Sequence, residues 1–347
     1  LSEFLLSYGL FAAKAVTVLL VILLAVAGIA AVIRQARQHH HPERLEVRNL
    51  NERFRWLSDT VTEELQTPEE HKQAAKARKK EEKAKRKARK AGTEPPRPRV
   101  FVLDFEGNLR ADATEALREE VSALLQAARP GDEVLLRLES PGGLVHAYGL
   151  AASQLKRIRD RGFKLTVAVD EMAASGGYLM ACVADRIIAA PFAILGSIGV
   201  IAQLPNLHRL LKKNDVDIEL HTAGEYKRTL TIFGENTDAG RAKFREELEL
   251  THGLFKQFVT EHRPVVEIDR VATGEHWYGQ QALGLKLADE LKTSDDWLLE
   301  RAKEADLLHL RYRPARSLSD RLARGLIRLG SRLRDGGESA LQRVPGA

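Results

Sequence analysis

Five small residues, Ala173, Ala174, Ser175, Gly176 and Gly177, separate an apolar run at Leu165 to Val169 from a helical pattern at Tyr178 to Val183. Small side chains at such a junction allow a sharp strand-to-helix turn, which is how a chain exposes a serine. With glycine behind it, the Ser175 backbone can approach a bound peptide closely. The first N–H groups of the helix then face any negative charge that forms there. The chemistry this suits is attack by a hydroxyl on a carbonyl carbon. Taken alone, the same pentapeptide is also an ordinary turn capped by a serine.

A second glycine turn, Ser140, Pro141, Gly142 and Gly143, directly follows another apolar run at Glu133 to Leu138. Consecutive glycines at a strand end leave backbone N–H groups free to face a substrate oxygen or to pair with an extended peptide, as an oxyanion hole requires. One such turn is unremarkable. Two glycine-rich serine turns in successive strand-helix units point to a site.

A nucleophilic serine needs a base. His208, His221, His252, His262 and His276 follow Ser175, and none sits in a local signature of a triad. His146, just behind Gly143, is the best-placed histidine. Lys227 is the other option. An ammonium that ordinarily titrates near 10.4 must be brought down towards neutrality, at a cost of about 4 kcal/mol, usually by burial. Tyr226, Leu230, Ile232 and Phe233 supply apolar neighbours for such a pocket, and Arg228 disfavours the charged form if it lies close in space. These residues alone leave both bases open.

The elements that must position these groups begin at Val100. Strands are expected at Val100 to Phe105, Glu133 to Leu138, Leu165 to Val169, Ile187 to Ala190 and Ile194 to Ile201, and helices at Ala113 to Ala128 and Leu150 to Arg159. This alternation argues an α/β domain with a largely parallel sheet and right-handed crossovers. Both serine turns fall at strand ends, where such sheets place their sites. Ile187 to Leu204 is uncharged and long enough to suggest a membrane span, but Pro191, Gly196, Ser197 and Gly199 interrupt any helix there, so buried strands are expected. Asp238 to His262 reads as an amphipathic helix for packing or subunit contacts.

Upstream of the domain, residues 1–14 lead into Ala15 to Ile33, an uncharged and mostly aliphatic run. About 19 residues at 1.5 Å each span the hydrocarbon of a bilayer, so a transmembrane anchor is expected. In 34–98, His39 to His41 read as a charged juxtamembrane loop rather than a metal site. Leu45 to Leu65 has near-helical apolar spacing. Lys72 to Lys90 is basic, with too few apolar residues to bury a face, and reads as a solvated helix or linker attracted to anionic lipid headgroups. It lacks the interleaved aromatics of a nucleic-acid surface, so no nucleic-acid partner is expected. Gly92 to Pro98 links to the domain at 99–312, and 313–347 is a basic tail. The formal charge of +6 over 347 residues thus belongs largely to one segment. The lone cysteine, Cys182, excludes an intrachain disulfide and reads as a core residue.

The motifs ASGGY at Ala174 to Tyr178, SPGG at Ser140 to Gly143, GSIGV at Gly196 to Val200 and EYKR at Glu225 to Arg228 together resemble the signal peptide peptidase family of serine proteases. VLDF at Val102 to Phe105 and TGEHWYGQQA at Thr273 to Ala282 extend the resemblance over nearly the whole chain. It implies a fold of the ClpP and crotonase type and a Ser/Lys dyad, with Ser175 as nucleophile and Lys227 as general base. Ser197 would orient the lysine, and the Gly143 amide with that of Gly176 would form the oxyanion hole. ClpP relatives carry a histidine base in the segment after the nucleophile; here that segment, APFAILGSIG, has none. Trp277 and Tyr278 are expected to pack rather than react. The family further implies ring-like homo-oligomers, which leaves two arrangements of the dyad open, within one chain or between neighbouring chains.

The expected function is therefore a membrane-anchored serine endopeptidase acting without a cofactor on extended apolar peptides, such as signal-peptide remnants or membrane-protein segments. The rivals are a ClpP-like Ser/His protease, a membrane-tethered scaffold without turnover, and crotonase-like acyl-CoA chemistry. A single-pass location in a bacterial inner membrane is expected. Lys and Arg after the anchor favour a cytoplasmic catalytic domain, whereas the family resemblance implies an extracytoplasmic one.

Overall fold

The structure is a computed structural model that describes residues 44–65 and 97–314, with single positions at 14–19 and 67–87. Leu45–Tyr312 forms one compact unit, and Leu1–Arg44 groups with Arg313–Ala347 in another that is almost entirely outside the described residues. The expected anchor at Ala15 to Ile33, apart from Val16, Thr17 and Leu19, lies outside them, as do His39 to His41 and the tail from Ser317. The described residues between Glu69 and Lys87 are helical and exposed. Among the described residues no helix is long and apolar enough to cross a membrane.

In the large unit, β1 (Arg44–Asn49), β2 (Arg99–Glu106), β3 (Glu133–Glu139), β4 (Lys164–Val169), β6 (Arg186–Ala189), β9 (Glu290–Leu291) and β10 (Asp306–Arg313) form a seven-stranded sheet in the order β1-β10-β2-β3-β4-β6-β9. All pairings from β10 to β9 are parallel. Parallel strands are covered on both faces, which is why their sequences are nearly continuous apolar runs. In β2 the register sends Phe101, Leu103 and Phe105 to one face and Val100 and Val102 to the other. Three helices, α2 (Thr114–Ala127), α3 (Val145–Asp160) and α4 (Gly176–Ala181), cover the first face, while Leu50, Trp297 and Leu298 cover the second. Cys182, at the end of α4, is fully buried, and burial pushes its thiol ionisation up.

A smaller sheet carries the site. It has the order β5-β7-β8, with β5 (Met172–Ala174) parallel to β7 (Ile194–Gly196) and β7 antiparallel to β8 (His276–Tyr278). The expected strand from Ile194 to Ile201 therefore stops five residues early. Ser197 has φ 52°, outside extended geometry, and the chain turns away there. Ile187 to Leu204 opens with the strands β6 and β7. The α5 (His208–Lys213) and α6 (Asp238–His262) helices follow, then α7 (Ile268–Val271), α8 (Gly279–Gly284) and α9 (Ser294–Arg301).

Two helix expectations also need correction. Leu45 to Leu65 is not one helix: Arg44–Asn49 is strand and only α1 (Leu50–Leu65) is helical. A sheet edge was available beside β10, and Leu45 and Val47 satisfy a period of two as readily as a helical one. Helix α3 starts at Val145 rather than Leu150, because the SPGG turn ends sooner than its glycines suggest.

Asn51 fastens α1 to the sheet. Its amide donates to the carbonyls of Ala302 (3.0 Å) and Ala305 (2.9 Å), and its side-chain oxygen accepts from the Leu307 N–H (2.7 Å). Removing it strands buried partners, so Asn51→Leu should lower unfolding free energy by about 2–4 kcal/mol in urea titrations.

Two carboxyls near β10 behave oppositely. Burial opposes the charge on Asp104, but hydrogen bonds from His309 (2.9 Å) and Arg137 (2.7 Å) outweigh it and bring the carboxyl down to about 2. Glu120, on α2, is pushed up to about 7 by burial and by the nearby Asp104 charge, although it accepts the Tyr312 N–H at 2.7 Å. A carboxyl raised from 4.5 stabilises the fold in its protonated form, and that contribution is lost as pH rises from 4.5 through about 7. Glu120→Gln should therefore melt increasingly above wild type as pH rises across that window, as read by thermal denaturation at several pH values.

Candidate active site

The register of the small sheet brings the serine turns together. Ala174 on β5 pairs with Gly196 on β7, so Ser175 and Ser197 leave adjacent parallel strands side by side. Ser140 forms a parallel bridge with Ala173, its N–H donating to Met172 O (2.8 Å) and its carbonyl accepting from Ala174 N–H (3.0 Å). Three chain segments thus end at one edge, at Ser140, Ser175 and Ser197.

Ser175 adopts φ 52° and ψ −118°, a conformation that non-glycine residues rarely hold and that costs about 1–3 kcal/mol. It is held there by its own backbone: the N–H donates to Gly196 O (2.8 Å) and the carbonyl accepts from Leu179 N–H (3.0 Å) in the first turn of α4. The Ser175 hydroxyl is half-buried and, among the described residues, hydrogen-bonded to nothing.

The SPGG turn packs directly on this elbow. Gly142 has φ +89°, and a Cβ there would fall 2.7 Å from both Gly176 N and Ser175 Cβ. A Cβ on Gly176 would run into the ring of Tyr148. Both glycines are required by close approach. Among the described residues, no acceptor is hydrogen-bonded to the N–H of Gly143 or of Gly176. The Gly176 N–H is one of the unpaired donors at a helix N-terminus, and Gly143 follows the glycine that packs on Ser175.

Lys227 is not brought to this point within the single chain. It is exposed in the segment between α5 and α6, its N–H donating to Gly224 O at 3.2 Å, and no hydrogen bond joins its amine to Ser175 or Ser197. The expected apolar pocket is also missing among the described residues: Tyr226 and Phe233 are themselves exposed, and only Leu230 and Ile232 are half-buried. The reason is that residues 201–229 lie outside both hydrophobic clusters, with Ile201 88 % exposed. His146 is exposed in the first turn of α3, without a hydrogen-bond partner among the described residues. Ser197 is half-buried, its N–H spent on Glu275 O at 2.7 Å. Trp277 packs on Gly196 and the core, as expected, whereas Tyr278 is 47 % exposed. Among the described residues no group of His, Cys, Asp and Glu is arranged to hold a metal ion.

The sequence reading missed Tyr148 and Asn108, which stand behind the SPGG turn. Tyr148 lies eight residues after Ser140, and no spacing rule marks it. Asn108 could have been noticed as a loop asparagine, since its side chain accepts from the N–H groups of Arg110 (3.1 Å) and Asp112 (3.2 Å).

A parallel α/β sheet that presents a strained serine at a glycine turn suits a hydrolase, and similarity to known proteins makes the chain a peptidase. Residues 3–155 match the model of peptidase family S49 N-terminal and residues 157–308 that of peptidase family S49. The chain belongs to peptidase family S49, the family its motifs resemble. It is 53% identical over 333 residues to the probable protease SohB of Haemophilus influenzae, covering 93% of each chain. With the probable protease SohB of Buchnera aphidicola subsp. Schizaphis graminum it shares 47% identity over 310 residues, 89% of this chain and 90% of the relative. A solved 1510-N membrane-bound stomatin-specific protease aligns with TM-score 0.40 and 12% identity over 60% of this chain and 86% of that one.

Gly142→Ala forces a Cβ into Gly176 and Ser175 at a left-handed position. It should cut peptidase turnover by at least about 10²-fold, the scale of losing one oxyanion donor, while circular dichroism shows the fold retained.

Proposed function

We propose that this chain is a single-pass serine endopeptidase of a bacterial inner membrane, anchored by Ala15 to Ile33, in which Ser175 is the nucleophile and Lys227 the general base. The observation that carries this reading is the strained backbone of Ser175, whose hydroxyl has no hydrogen-bond partner among the described residues, in a turn on which the SPGG glycines pack. A substrate carbonyl oxygen placed between those amides sets its carbon beside Ser175 Oγ. Lys227 takes the hydroxyl proton as the C–O bond forms. The tetrahedral oxyanion collapses, and the lysine ammonium returns the proton to the departing amine. Water then releases the acyl group by the same steps in reverse order, so no cofactor is required. Ser197, leaving the sheet beside Ser175, is the group that orients the lysine.

The base comes from a neighbouring copy of the chain. Lys227 is exposed here, and the segment around it displays Ile201, Leu210, Val216, Ile218, Leu220 and Phe233 to solvent. An apolar surface of that extent marks an interface, and docking it on a second copy desolvates the amine where it is needed. Repeated head to tail, the contact closes a ring. The fold type is that of ClpP and crotonase, supported by the parallel sheet and the glycine-flanked amide pair. Extended apolar peptides, such as signal-peptide remnants or membrane-protein segments, suit the exposed Leu109, Leu144 and Val145 around the SPGG turn.

Ser175→Ala and Lys227→Ala should each abolish cleavage of an apolar peptide while leaving assembly intact by light scattering. Mixing the two inactive variants should restore activity, to roughly a quarter of wild type for random assembly of two kinds of subunit. Full activity in Lys227→Ala, with loss in His146→Ala, would transfer the base to the histidine.

A further inference from the structure

The amide pair is useful only if something holds the SPGG turn still. Ser140 Oγ and Tyr148 Oη, both fully buried, stand 2.6 Å apart. The phenol donates its single proton to Asn108 O at 2.9 Å, so the Ser140 hydroxyl must donate to the phenol oxygen. Ser140 Oγ in turn accepts the Gly142 N–H at 3.1 Å. Every proton in the series is thereby assigned, running from the Gly142 N–H through the Ser140 and Tyr148 hydroxyls to the Asn108 carbonyl. Hydrogen bonds aligned in one direction polarise one another and lock the groups they join. On the far side of the turn, the Leu144 N–H donates to Leu109 O at 2.9 Å. Gly143 is therefore gripped on both flanks and keeps its own N–H unspent. The Tyr148 ring also lies against Gly176, so one side chain meets one half of the amide pair directly and reaches the other through Ser140 and Gly142.

We propose that Tyr148 is a positioning residue for the reaction: through Ser140 it fixes the Gly143 amide, and through its ring the Gly176 amide, in the geometry that receives the oxyanion. This rests on the reading of Ser175 as nucleophile. The part played by the hydroxyl is distinct from packing, because the ring alone fills the space while the hydroxyl sets the direction of the hydrogen bonds.

Tyr148→Phe keeps the ring and removes the hydroxyl. In the full-length protein, kcat for an apolar peptide should fall by about 10- to 100-fold, with KM within about twofold. Affinity for a peptide boronic acid, whose tetrahedral adduct places an oxygen between the amides, should fall by a similar factor. Binding of the uncleaved peptide should be the same in Ser175→Ala with and without Tyr148→Phe. Ser140→Ala breaks the same series at its other end and should give the same pattern, with the double variant no worse than the worse single one. Unchanged kcat in Tyr148→Phe, or a lower kcat with boronate affinity intact, overturns the proposal. If Tyr148→Phe does not fold, Ser140→Ala decides by the same criteria. A wild-type enzyme that forms no boronate adduct at Ser175 overturns the nucleophile reading itself, and this proposal with it.

Discussion

The structure depends on three chain segments ending in register. Because Ala174 pairs with Gly196, and Ser140 bridges to Ala173, strands that arrive from different parts of the sequence stop at one line and turn there. Main-chain hydrogen bonds impose this, and side chains then make use of it. The strain at Ser175 is held by bonds from its own N–H and carbonyl to fixed neighbours, so the cost of the unusual dihedral is met by the small sheet and the first turn of α4. The large sheet provides the rigid base, with apolar residues buried on both of its faces.

Within this chain the Ser175 turn is held by fixed dipoles rather than by charges. Ion pairs of the described residues, such as Asp104 with Arg137, or Arg263 with Asp289, join elements of the scaffold. Around Ser175 the polar groups are hydroxyls, amides and carbonyls. In a half-buried setting, fixed dipoles of this kind stabilise a developing anion without first having to reorganise.

Much of this was legible in the residues. Apolar runs bounded by glycine and serine gave the central strands to within a residue or two, because a strand buried on both faces leaves a continuous apolar trace. The two glycine turns were visible for the same reason that they work, since only small residues permit the approach of Gly142 to Gly176. What stayed hidden depended on partners distant in sequence. Strand β1 borrows its conformation from the edge of β10, some 260 residues later, and its spacing also satisfies a helix. The abrupt end of β7 is set by the backbone of Ser197, which residue type does not reveal. The Ser140 and Tyr148 contact joins a turn to the interior of a helix, and the exposed segment around Lys227 lies outside the cores that apolar spacing traces.

Cys182 bears on where such an enzyme can operate. Its thiol is wholly enclosed, and burial raises its ionisation, so the reactive thiolate is scarcely formed and oxidants cannot reach it. Nothing in the serine turns contains sulfur, and a single enclosed thiol has no second one to join. The covalent state of the folded domain is therefore the same in reducing and in oxidising solution.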